Sequence, residues 1–495
     1  MSRSKTSSSL ELLLPLDRAG PEPLHRQLEH GLRAAVRDGR LAPGATMPSS
    51  RGLAAQLGVS RGIVVEAYEQ LVAEGYLASR PGGTTRVAWT PRQPRPARET
   101  AEPEPVAFDF RPGRPDVTEF PRATWLRALR RALATAPSDR LTYLGGRGVP
   151  ELRVALAAYL NRVRGTSVDP ADVVVSAGFA QGLRLVAQVL RAAGARRFAV
   201  EDPSDPEYRT ALREAGIAPV AVPVDGAGLR VDLLDSLDVD GVLVTAAHQY
   251  PTGAVLSPDR RAALVAWARR RRATIVEDDY DAEFRYDRDP VGALQGLSPD
   301  RVVYTGTASK TLAPGLRLGW IVAPPEHTEA LVAAKQAADM GAPAMDQLAF
   351  AALLARGDLD HHLRRMRPVY RRRRDALLGA LARHLPELRP VGAAAGLHVL
   401  AWLPDDMDAS DERAIVDRAA ADGIALGSLS PRRIAPGPAG LVFGYGTILE
   451  PVVEPGIARL APVIAAVRGD QAARERHAAS GGRARRPGNA RGSCA

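Results

Sequence analysis

The sequence predicts an α/β protein of two domains: a small N-terminal helical domain with a β-hairpin, and a large domain built on a mostly parallel sheet. Three observations support this prediction. The chain of 495 residues is too long for one ordinary domain. Two helical patterns meet at a glycine-containing turn near residue 58. Beyond residue 107, short apolar runs alternate with amphipathic stretches.

The composition favours a cytoplasmic protein. Hydrophobic residues make up 45% of the chain, which is normal for a globular protein. No apolar run reaches the length of a membrane span, and the first 20 residues contain no signal-peptide core, so we expect no membrane association. Cys494 is the only cysteine, which excludes a disulfide framework and a cysteine-ligated zinc site.

Positive charge is concentrated at the two ends of the chain. The net charge of +10 divides into +6 in residues 1–98, +5 in residues 471–495 and −1 between them. Basic ends favour a polyanionic partner such as nucleic acid. Arginine-rich ends that only increase solubility are the alternative.

Composition also predicts the domain boundaries. Residues 89–106 are rich in Pro, Arg and Glu and have no apolar period, which predicts a disordered linker. Residues 470–495 are predicted to be a disordered, arginine-rich tail, because they cannot bury apolar surface. The folded domains are therefore expected at residues 20–88 and 107–469.

The small domain contains three helical patterns followed by a hairpin. The first pattern ends at Gly39, and its apolar side chains recur at helical intervals: Leu24, Leu28, Leu32, Ala35 and Val36. Ser49 or Ser50 caps a short second helix that stops at Gly58. Ser60 caps a third helix with an apolar face made of Val64, Tyr68, Leu71 and Val72. Two short strands around a Pro-Gly-Gly turn follow, so the pattern predicts a helix-turn-helix with a wing.

This arrangement predicts DNA binding. Exposed hydroxyl and guanidinium groups at helix N-termini suit phosphates and guanine edges in a major groove. The candidate contacts are Ser50, Arg51, Ser60 and Arg61 on the helices and Arg80, Gly82 and Thr84 on the wing. A helical packing module whose arginines face water is the alternative.

The small domain resembles the GntR-type winged helix over roughly 65 residues. The segment LAPGATMPSSRGLAAQLGVSRGIVVEAYEQLVAEGYL carries the resemblance. The wing departs from it, because RPGGTTRV stands where the family usually has a Gly-Ser-Gly-Thr run. The resemblance implies a double-stranded DNA operator as partner.

In the large domain, apolar runs end in polar or glycine-rich clusters. The runs are DVVVSAGFAQG, RFAVEDP, GVLVTAAHQYPTG, ATIVEDDYD and VVYTGTASK, and helical stretches such as RRAALVAWARRRR lie between them. This alternation predicts a mostly parallel sheet with helices on both faces. Ligands of such sheets bind outside the carboxyl ends of the strands, where the reactive residue types of this chain are found.

Lys310 is the residue that most strongly indicates a chemically reactive site. Only three of the 66 basic residues are lysines, namely Lys5, Lys310 and Lys335. A lysine amine can become neutral and form a Schiff base with an aldehyde, whereas a guanidinium stays protonated. The alternative is a surface lysine present by chance, an interpretation that also suits Lys335.

The residues around Lys310 meet the needs of pyridoxal 5′-phosphate. Asp278 can hold the pyridine nitrogen protonated, and Tyr280 can donate to the phenolic oxygen. Hydroxyls, helix N-terminal amides and an arginine suit the phosphate. The candidates at the phosphate are Gly178, Phe179, Ala180, Gln181, Thr307, Ser309 and Arg317.

Two alternatives compete with this interpretation. Glu277, Asp278 and Asp279 could form a divalent metal site, but neighbouring side chains at a strand end point apart, and we expect no metal. His248 could be an ordinary hydrogen-bonded residue beside the crevice instead of a cofactor contact.

The large domain resembles the fold-type I aminotransferases over about 360 residues, and the whole chain resembles the MocR-type regulators. The motifs HQYPTG, EDDYDAEF, YTGTASK and PGLRLGW carry the second resemblance. It assigns Lys310 to the Schiff base, Asp278 to the pyridine nitrogen and Tyr280 to the phenolic oxygen, with Thr307, Ser309 and Arg317 at the phosphate. It also implies a homodimer in which Tyr143 reaches the phosphate of the neighbouring subunit.

Two positions depart from the family pattern. EDPSDPEYR has Asp205 where an aromatic residue often lies over the cofactor, so Tyr208 would have to take that place. Working transaminases carry an arginine near the C-terminus that clamps the substrate carboxylate, and LVFGYGTILE has Thr447 there.

The sequence therefore predicts a pyridoxal phosphate-dependent transcriptional regulator whose aminotransferase-like domain senses the cofactor, an amine effector, or both. An effector can change how the DNA-binding domains of a dimer fit two half-sites of an operator only if it binds one conformation of the protein more tightly than another. Two alternatives remain: an active aminotransferase that carries a DNA-binding head, and a DNA-binding dimer that has lost the cofactor.

Overall fold

The computed structural model describes residues 14–80, 83–88, 106–286, 291–392 and 395–483, with side chains described as far as residue 470. The chain divides into two compact units, residues 1–103 and residues 104–495. The predicted linker lies outside the described residues except for residue 106.

The first unit has the predicted order of elements. These are α1 (Leu24–Arg37), α2 (Ser50–Leu57), α3 (Arg61–Ala73), β1 (Leu77–Ala78) and β2 (Arg86–Val87). The three helices bury their apolar faces against one another, with Leu28, Leu53 and Val64 in the shared core. The strands form an antiparallel pair, with Leu77 opposite Val87, and this pair is the wing. The helix-turn-helix and wing are therefore confirmed.

The two candidate caps behave differently. Ser49 caps α2, since its hydroxyl accepts a hydrogen bond from the Gly52 amide at 3.1 Å. Gly58 ends the helix with φ of 65°, a conformation that costs little only for glycine. Ser60 occupies the N-cap position of α3, but its side chain makes no capping hydrogen bond. The prediction that the Ser60 side chain caps the helix is wrong, and its hydroxyl is exposed.

The second unit contains two sheets and the remaining helices. Its strands, in chain order, are β3 (Phe108–Phe110), β4 (Val173–Ser176), β5 (Arg197–Asp202), β6 (Ala218–Asp225), β7 (Gly228–Leu229), β8 (Gly241–Val244), β9 (Thr274–Asp278), β10 (Val302–Thr307), β11 (Gly319–Val322), β12 (Arg389–Val391), β13 (His398–Trp402), β14 (Ile424–Ser428) and β15 (Gly440–Gly444). Its helices are α4 (Arg122–Thr135), α5 (Pro150–Arg164), α6 (Phe179–Ala192), α7 (Pro206–Glu214), α8 (Pro258–Arg271), α9 (Pro325–Asp339), α10 (Ala344–Ala355), α11 (Asp358–His384), α12 (Ala409–Ala421) and α13 (Glu450–Arg483).

The main sheet is mostly parallel, as predicted. Its order is β4-β11-β10-β9-β8-β5-β6-β7. The pairs from β10 to β6 are parallel, whereas β11 runs antiparallel to both β10 and β4. Strand β4 therefore points the same way as β8, β9 and β10, and the carboxyl ends of all four reach one edge.

Helices cover both faces of this sheet. Val276 and Val303 pack in a core with residues of α6 and α7. Their neighbours Ile275 and Val302 pack in a second core with residues of α8. Adjacent residues of each strand thus face different cores, and both faces of the strand must be apolar. This is why the strands are continuous apolar runs in the sequence.

The second sheet has the order β12-β13-β15-β14-β3. Strand β3 is parallel to β14, and the other pairs are antiparallel. The first strand of the unit thus joins a sheet formed by residues more than 270 positions later. It also brings the segment that follows β3 to the end of β15.

The last helix, α13, continues to Arg483. Helix α13 thus overlaps the segment predicted as a tail, and the boundary at residue 470 stays a prediction. The segment QAARERHAA is rich in residues of high helix propensity. Among the described residues, no helix combines the length and apolar character that crossing a membrane requires.

A buried ion pair ties α5 to the end of β9. Arg164 donates from Nε and Nη2 to the Asp279 carboxylate at 2.7 and 3.1 Å. Both side chains are almost fully buried, at 1% and 2% exposure. The Tyr304 hydroxyl donates to the same carboxylate at 2.8 Å. The pair fixes the strand end that carries the neighbouring Asp278.

Replacement of this arginine tests the pair. Arg164→Leu leaves Asp279 buried without its cation, which costs about 3–5 kcal/mol of unfolding free energy. Arg162→Leu, on the same helix, removes an exposed pair with Asp360 and a cation–π contact with Tyr159, and costs about 1 kcal/mol. Urea unfolding followed by circular dichroism measures both. Equal stability of the two variants would contradict the assigned role.

Candidate functional site

A cavity of about 700 Å³ lies at the edge where the parallel strands end. Its walls include Asp278 from the end of β9, Ser309 and Lys310 from the turn after β10, and Phe179 at the start of α6. The predicted cofactor residues thus come together because these strands share one direction.

Lys310 projects its amine into this cavity. Its Nζ donates to the carbonyl oxygen of Gly113 at 2.7 Å. Burial lowers the pKa of the Lys310 amine, although the carboxylates of Asp281, Asp278 and Asp205 act in the opposite direction. A lowered pKa increases the fraction of neutral amine, which is the nucleophilic form.

Lys335 provides an internal comparison. It is fully buried and its Nζ donates to Asp339 at 2.6 Å, one turn away on α9. Its interpretation as a surface lysine is wrong. Lys335 is therefore engaged in a structural ion pair with Asp339, whereas Lys310 faces the cavity and is the candidate nucleophile.

Asp278 has one oxygen bonded and one free. The Tyr208 hydroxyl donates to Oδ2 at 2.6 Å, whereas Oδ1 is buried and has no hydrogen-bond partner among the described residues. Burial raises the pKa of this carboxyl well above its ordinary value. A buried acceptor without a partner is costly, and a protonated ring nitrogen would satisfy it. The residues therefore fit the pyridine of pyridoxal phosphate.

Tyr280 lines the cavity, and its hydroxyl contacts His248, which lies outside the cavity wall. Its hydroxyl lies 3.1 Å from Nδ1 of His248, which also lies 3.0 Å from Oδ2 of Asp281. Burial, followed by the charge of Asp281, raises the pKa of Tyr280, so its hydroxyl keeps its proton. His248 is not among the residues that line the cavity, and it positions Tyr280 instead of forming a wall.

A cradle for an anion lies at the start of α6. Gly178 precedes the helix with φ of 87°, and a Cβ at this position would lie 2.7 Å from Nη2 of Arg317. The amides of Phe179, Ala180 and Gln181 have no helical acceptor, as in any first helical turn. Such a terminus next to a guanidinium suits a phosphate.

The remaining phosphate candidates are Thr307 and Ser309, which carry hydroxyl groups, and Gln181, which carries an amide. Thr307 and Ser309 face each other, with 2.9 Å between their hydroxyl oxygens. The Gln181 side chain is occupied elsewhere, since it accepts from the Ala177 amide and donates to Asp339, both at 2.7 Å. Only the backbone amide of Gln181 is available to the anion.

At the two positions that depart from the family pattern, the structure shows the following contacts. Tyr208 is buried, makes an edge contact with the ring of Phe179 and donates a hydrogen bond to Asp278. Asp205 caps α7, since its side chain accepts a hydrogen bond from the Glu207 amide at 2.9 Å. Thr447 lines the cavity, and its hydroxyl donates to the carbonyl of Asp109 at 3.4 Å. Tyr143 is 83% exposed and does not line the cavity of its own chain.

The three acidic residues considered for a metal point to separate partners. Glu277 accepts from the amides of Leu294 and Gln295, at 2.8 and 3.2 Å. Asp279 pairs with Arg164, and Asp278 faces the cavity. These carboxylates therefore do not converge on one point.

The sequence did not single out Tyr250, Asp281 and His398 as members of this site. Asp281 and Tyr250 lie inside the motifs EDDYD and HQYPTG, so their sequence position could have indicated them. His398 comes from β13 of the second sheet and has no local signal. Ligand atoms of His248, Asp281 and His398 lie within 4.8 Å of one another, near enough to share a metal ion. Hydrogen bonds already join His248 to Asp281 and His398 to the carbonyl of Pro251.

On the first unit, the helix and wing candidates are exposed or partly exposed. Arg51, Ser60, Arg61, Arg80 and Thr84 are exposed, and Ser50 is partly buried. Arg61 Nε donates to the Ser50 hydroxyl at 3.4 Å, which brings the starts of α2 and α3 together. The remaining candidate, Gly82, lies outside the described residues.

Comparisons with known proteins agree with this architecture. Residues 24–87 match the bacterial regulatory proteins of the gntR family, and residues 115–421 match the class I and II aminotransferases. The HTH-type pyridoxine biosynthesis transcriptional regulator PdxR of Corynebacterium glutamicum is 35% identical over 88% of this chain and 95% of its own. The probable rhizopine catabolism regulatory protein MocR of Rhizobium meliloti is 32% identical over 90% and 94%.

The second unit also resembles solved enzymes. The crystal structure of a multiple substrate aminotransferase from Thermococcus profundus superposes with a TM-score of 0.68 at 27% identity, and covers 74% of this chain and 93% of that one. Proteins that combine a helix-turn-helix with an aminotransferase fold form a class of transcriptional regulators. The chain belongs to its MocR-type family, with a GntR-type DNA-binding domain and a domain of the pyridoxal phosphate-binding aminotransferase fold.

The orphaned oxygen of Asp278 gives a direct test of cofactor binding. Asp278→Asn replaces the carboxyl group that is predicted to accept a hydrogen bond from the protonated ring nitrogen, so we expect pyridoxal phosphate to bind about 10–100-fold more weakly. Tyr208→Phe keeps the carboxylate and should have a smaller effect. Titration of the purified protein, followed by absorbance, measures both dissociation constants. Unchanged affinity in Asp278→Asn would show that the carboxylate does not contact the cofactor.

Proposed function

We propose that this regulator senses pyridoxal phosphate, an amine effector, or both, in the cavity of its second unit, and that the ligand changes its operator binding. The observation that carries the proposal is the presence in one cavity of the Lys310 amine, whose pKa is lowered by burial, and the unpaired oxygen of Asp278. The unpaired Asp278 oxygen is costly without a ligand, and the Lys310 amine has one acceptor, the Gly113 carbonyl, among the described residues.

Each group has a defined task toward the cofactor. The Lys310 amine would be the nucleophile toward the aldehyde that pyridoxal phosphate would supply when bound. Asp278 would hold the ring nitrogen, and Tyr280 would donate its hydroxyl to the ring oxygen, with His248 keeping Tyr280 in place. Gly178, Ser309 and Arg317 hold the phosphate. An amine effector competes with the Lys310 amine for this cavity.

We also propose that the protein acts as a homodimer on paired half-sites. Tyr143 is 83% exposed in the single chain, and Leu133 and Leu141 nearby are 67% and 63% exposed. Large side chains left exposed in one region favour a protein partner, although scattered ones are common on any surface. Two copies would present two helix-turn-helix units, which matches the two-fold symmetry of most bacterial operators.

An active aminotransferase is the second candidate, because the residues that would hold the cofactor are all present. Thr447 argues against efficient turnover of amino acids, since it cannot make the bidentate contact of an arginine. Steady conversion of an amino acid and a keto acid by the purified protein would favour this candidate. Conversion of one equivalent of amino acid per protein chain, without further turnover, would favour the sensing function.

Replacement of Lys310 tests the proposed cofactor chemistry. Lys310→Ala and Lys310→Arg should both abolish the visible absorbance change that pyridoxal phosphate causes in the unaltered protein, because neither offers a neutral amine. Retention of this change in either variant would refute the role of Lys310. An unaltered protein that shows no change at all would support the alternative of a DNA-binding dimer without cofactor.

Replacement of Arg61 tests the DNA-binding surface. Arg61→Ala should weaken binding to a selected operator about tenfold or more, because a base-contacting arginine contributes roughly 1–3 kcal/mol. The absorbance of bound pyridoxal phosphate should not change. Arg26→Ala, on the exposed face of α1, is the control. The operator can be selected from random duplexes, and gel shifts measure affinity. Equal affinities of Arg61→Ala and Arg26→Ala would mean that α3 is not the recognition helix.

A further inference from the structure

Another cavity, of about 410 Å³, lies beside α11. Five of the six residues that line it are arginines, and we call it the arginine cavity: Arg285, Arg364, Arg367, Pro368, Arg371 and Arg372. None of these residues lines the cavity that contains Lys310. Ligand sites in proteins have volumes of roughly 300–1,000 Å³, so the arginine cavity is large enough for a small molecule.

Helical spacing places most of these arginines on one face of α11. Arg364, Arg367 and Arg371 follow one another at intervals of three and four positions, so their side chains are neighbours on the helix surface. Arg372 is next in the chain, and Arg285 comes from the segment after β9. Like charges at these spacings destabilise a helix, so helix stability does not account for the arrangement.

Two of the guanidinium groups are anchored by backbone carbonyls. Arg367 donates from Nε to the carbonyl oxygen of Glu283 at 2.8 Å. Arg371 donates from Nη2 to the carbonyl oxygen of Tyr286. Both carbonyls belong to one short segment, residues 283–286. A carbonyl is a neutral acceptor, so these bonds hold the two guanidinium groups near each other without cancelling their charge.

Carboxylates compensate little of the charge on the α11 side of the cavity. Within the described residues, Arg364, Arg367 and Arg371 form no ion pair with a carboxylate. Arg372 has one such contact, from Nε to Glu450 at 3.3 Å. Both side chains of this pair are more than half exposed, at 58% and 51%, and exposed pairs are weak. The cavity therefore keeps an excess of positive charge and of N–H donors.

We propose that the arginine cavity binds a compact anion with two or more negative charges, such as a pyrophosphate or bisphosphate group. A guanidinium offers paired N–H donors to phosphate oxygens and is more weakly hydrated than an ammonium. The size of the cavity favours a small free anion over the DNA backbone, whose phosphates are contacted along an extended surface. The inference goes beyond the proposed function, because it uses no residue of the cofactor cavity.

Calorimetric titration with pyrophosphate tests this inference. The full-length protein is kept in excess pyridoxal phosphate, which occupies the phosphate cradle at α6. Pyrophosphate should then bind once per chain, about tenfold or more tightly than orthophosphate, because it makes more charge-assisted hydrogen bonds. The double variant Arg364→Gln/Arg371→Gln should weaken pyrophosphate binding about tenfold or more. Circular dichroism shows whether this variant keeps its fold.

A single variant keeps the test decisive if the double variant does not fold. Arg364→Gln alters an exposed side chain and should weaken pyrophosphate binding about threefold or more. The control is Arg383→Gln, on the same helix, which removes a 55% exposed arginine that does not line the cavity. Its affinity for pyrophosphate should equal that of the unaltered protein.

Four results would overturn the inference. The first is that the unaltered protein does not bind pyrophosphate, and the second is that Arg364→Gln and Arg383→Gln bind it equally well. The third is loss of binding in Arg61→Ala, which would place the anion on the DNA-binding domain. The fourth is weaker operator binding by the double variant without any pyrophosphate binding by the unaltered protein, which would assign these arginines to the DNA backbone.

Discussion

The direction of the strands in the main sheet is the constraint on which the site depends. Strands β4, β8, β9 and β10 all end at the same edge, and the side chains that follow them converge on one cavity. At that edge, burial acts on two groups in opposite ways. It lowers the pKa of the Lys310 amine and raises that of the Asp278 carboxyl. Both groups are thereby shifted toward their neutral forms, and within the part of the chain that the structure describes neither forms an ion pair such as those of Lys335 and Arg164.

Much of this architecture could be predicted from local sequence patterns. The five apolar runs of the large domain all correspond to strands of one sheet, because strands buried on both faces need continuous apolar sequence. The three helices and hairpin of the first unit followed from helical spacing, a serine cap and Gly58. The scarcity of lysine indicated Lys310 before any structural comparison, since arginine could have replaced a lysine needed only for its charge.

Other features required the folded chain. The bond from Tyr208 to Asp278 joins residues 70 positions apart, and no spacing rule connects them. Arg114 reaches the cavity because β3 pairs with β14, more than 300 residues later. Lys335 looked like a surface residue, yet its partner Asp339 lies four residues on, a spacing that could have indicated the buried pair. The helix beyond residue 470 shows that polar, arginine-rich sequence can extend a helix as well as form a tail.

The position of the cofactor's covalent attachment tests this account most directly. The unaltered protein is incubated with pyridoxal phosphate, reduced with borohydride, digested with trypsin and mapped by mass spectrometry. Because modified lysine resists trypsin, we expect one labelled peptide, residues 302–317, that remains uncut at Lys310. A label on Lys5 or Lys335, or no label on residues 302–317 under conditions where the cofactor is bound, would contradict it.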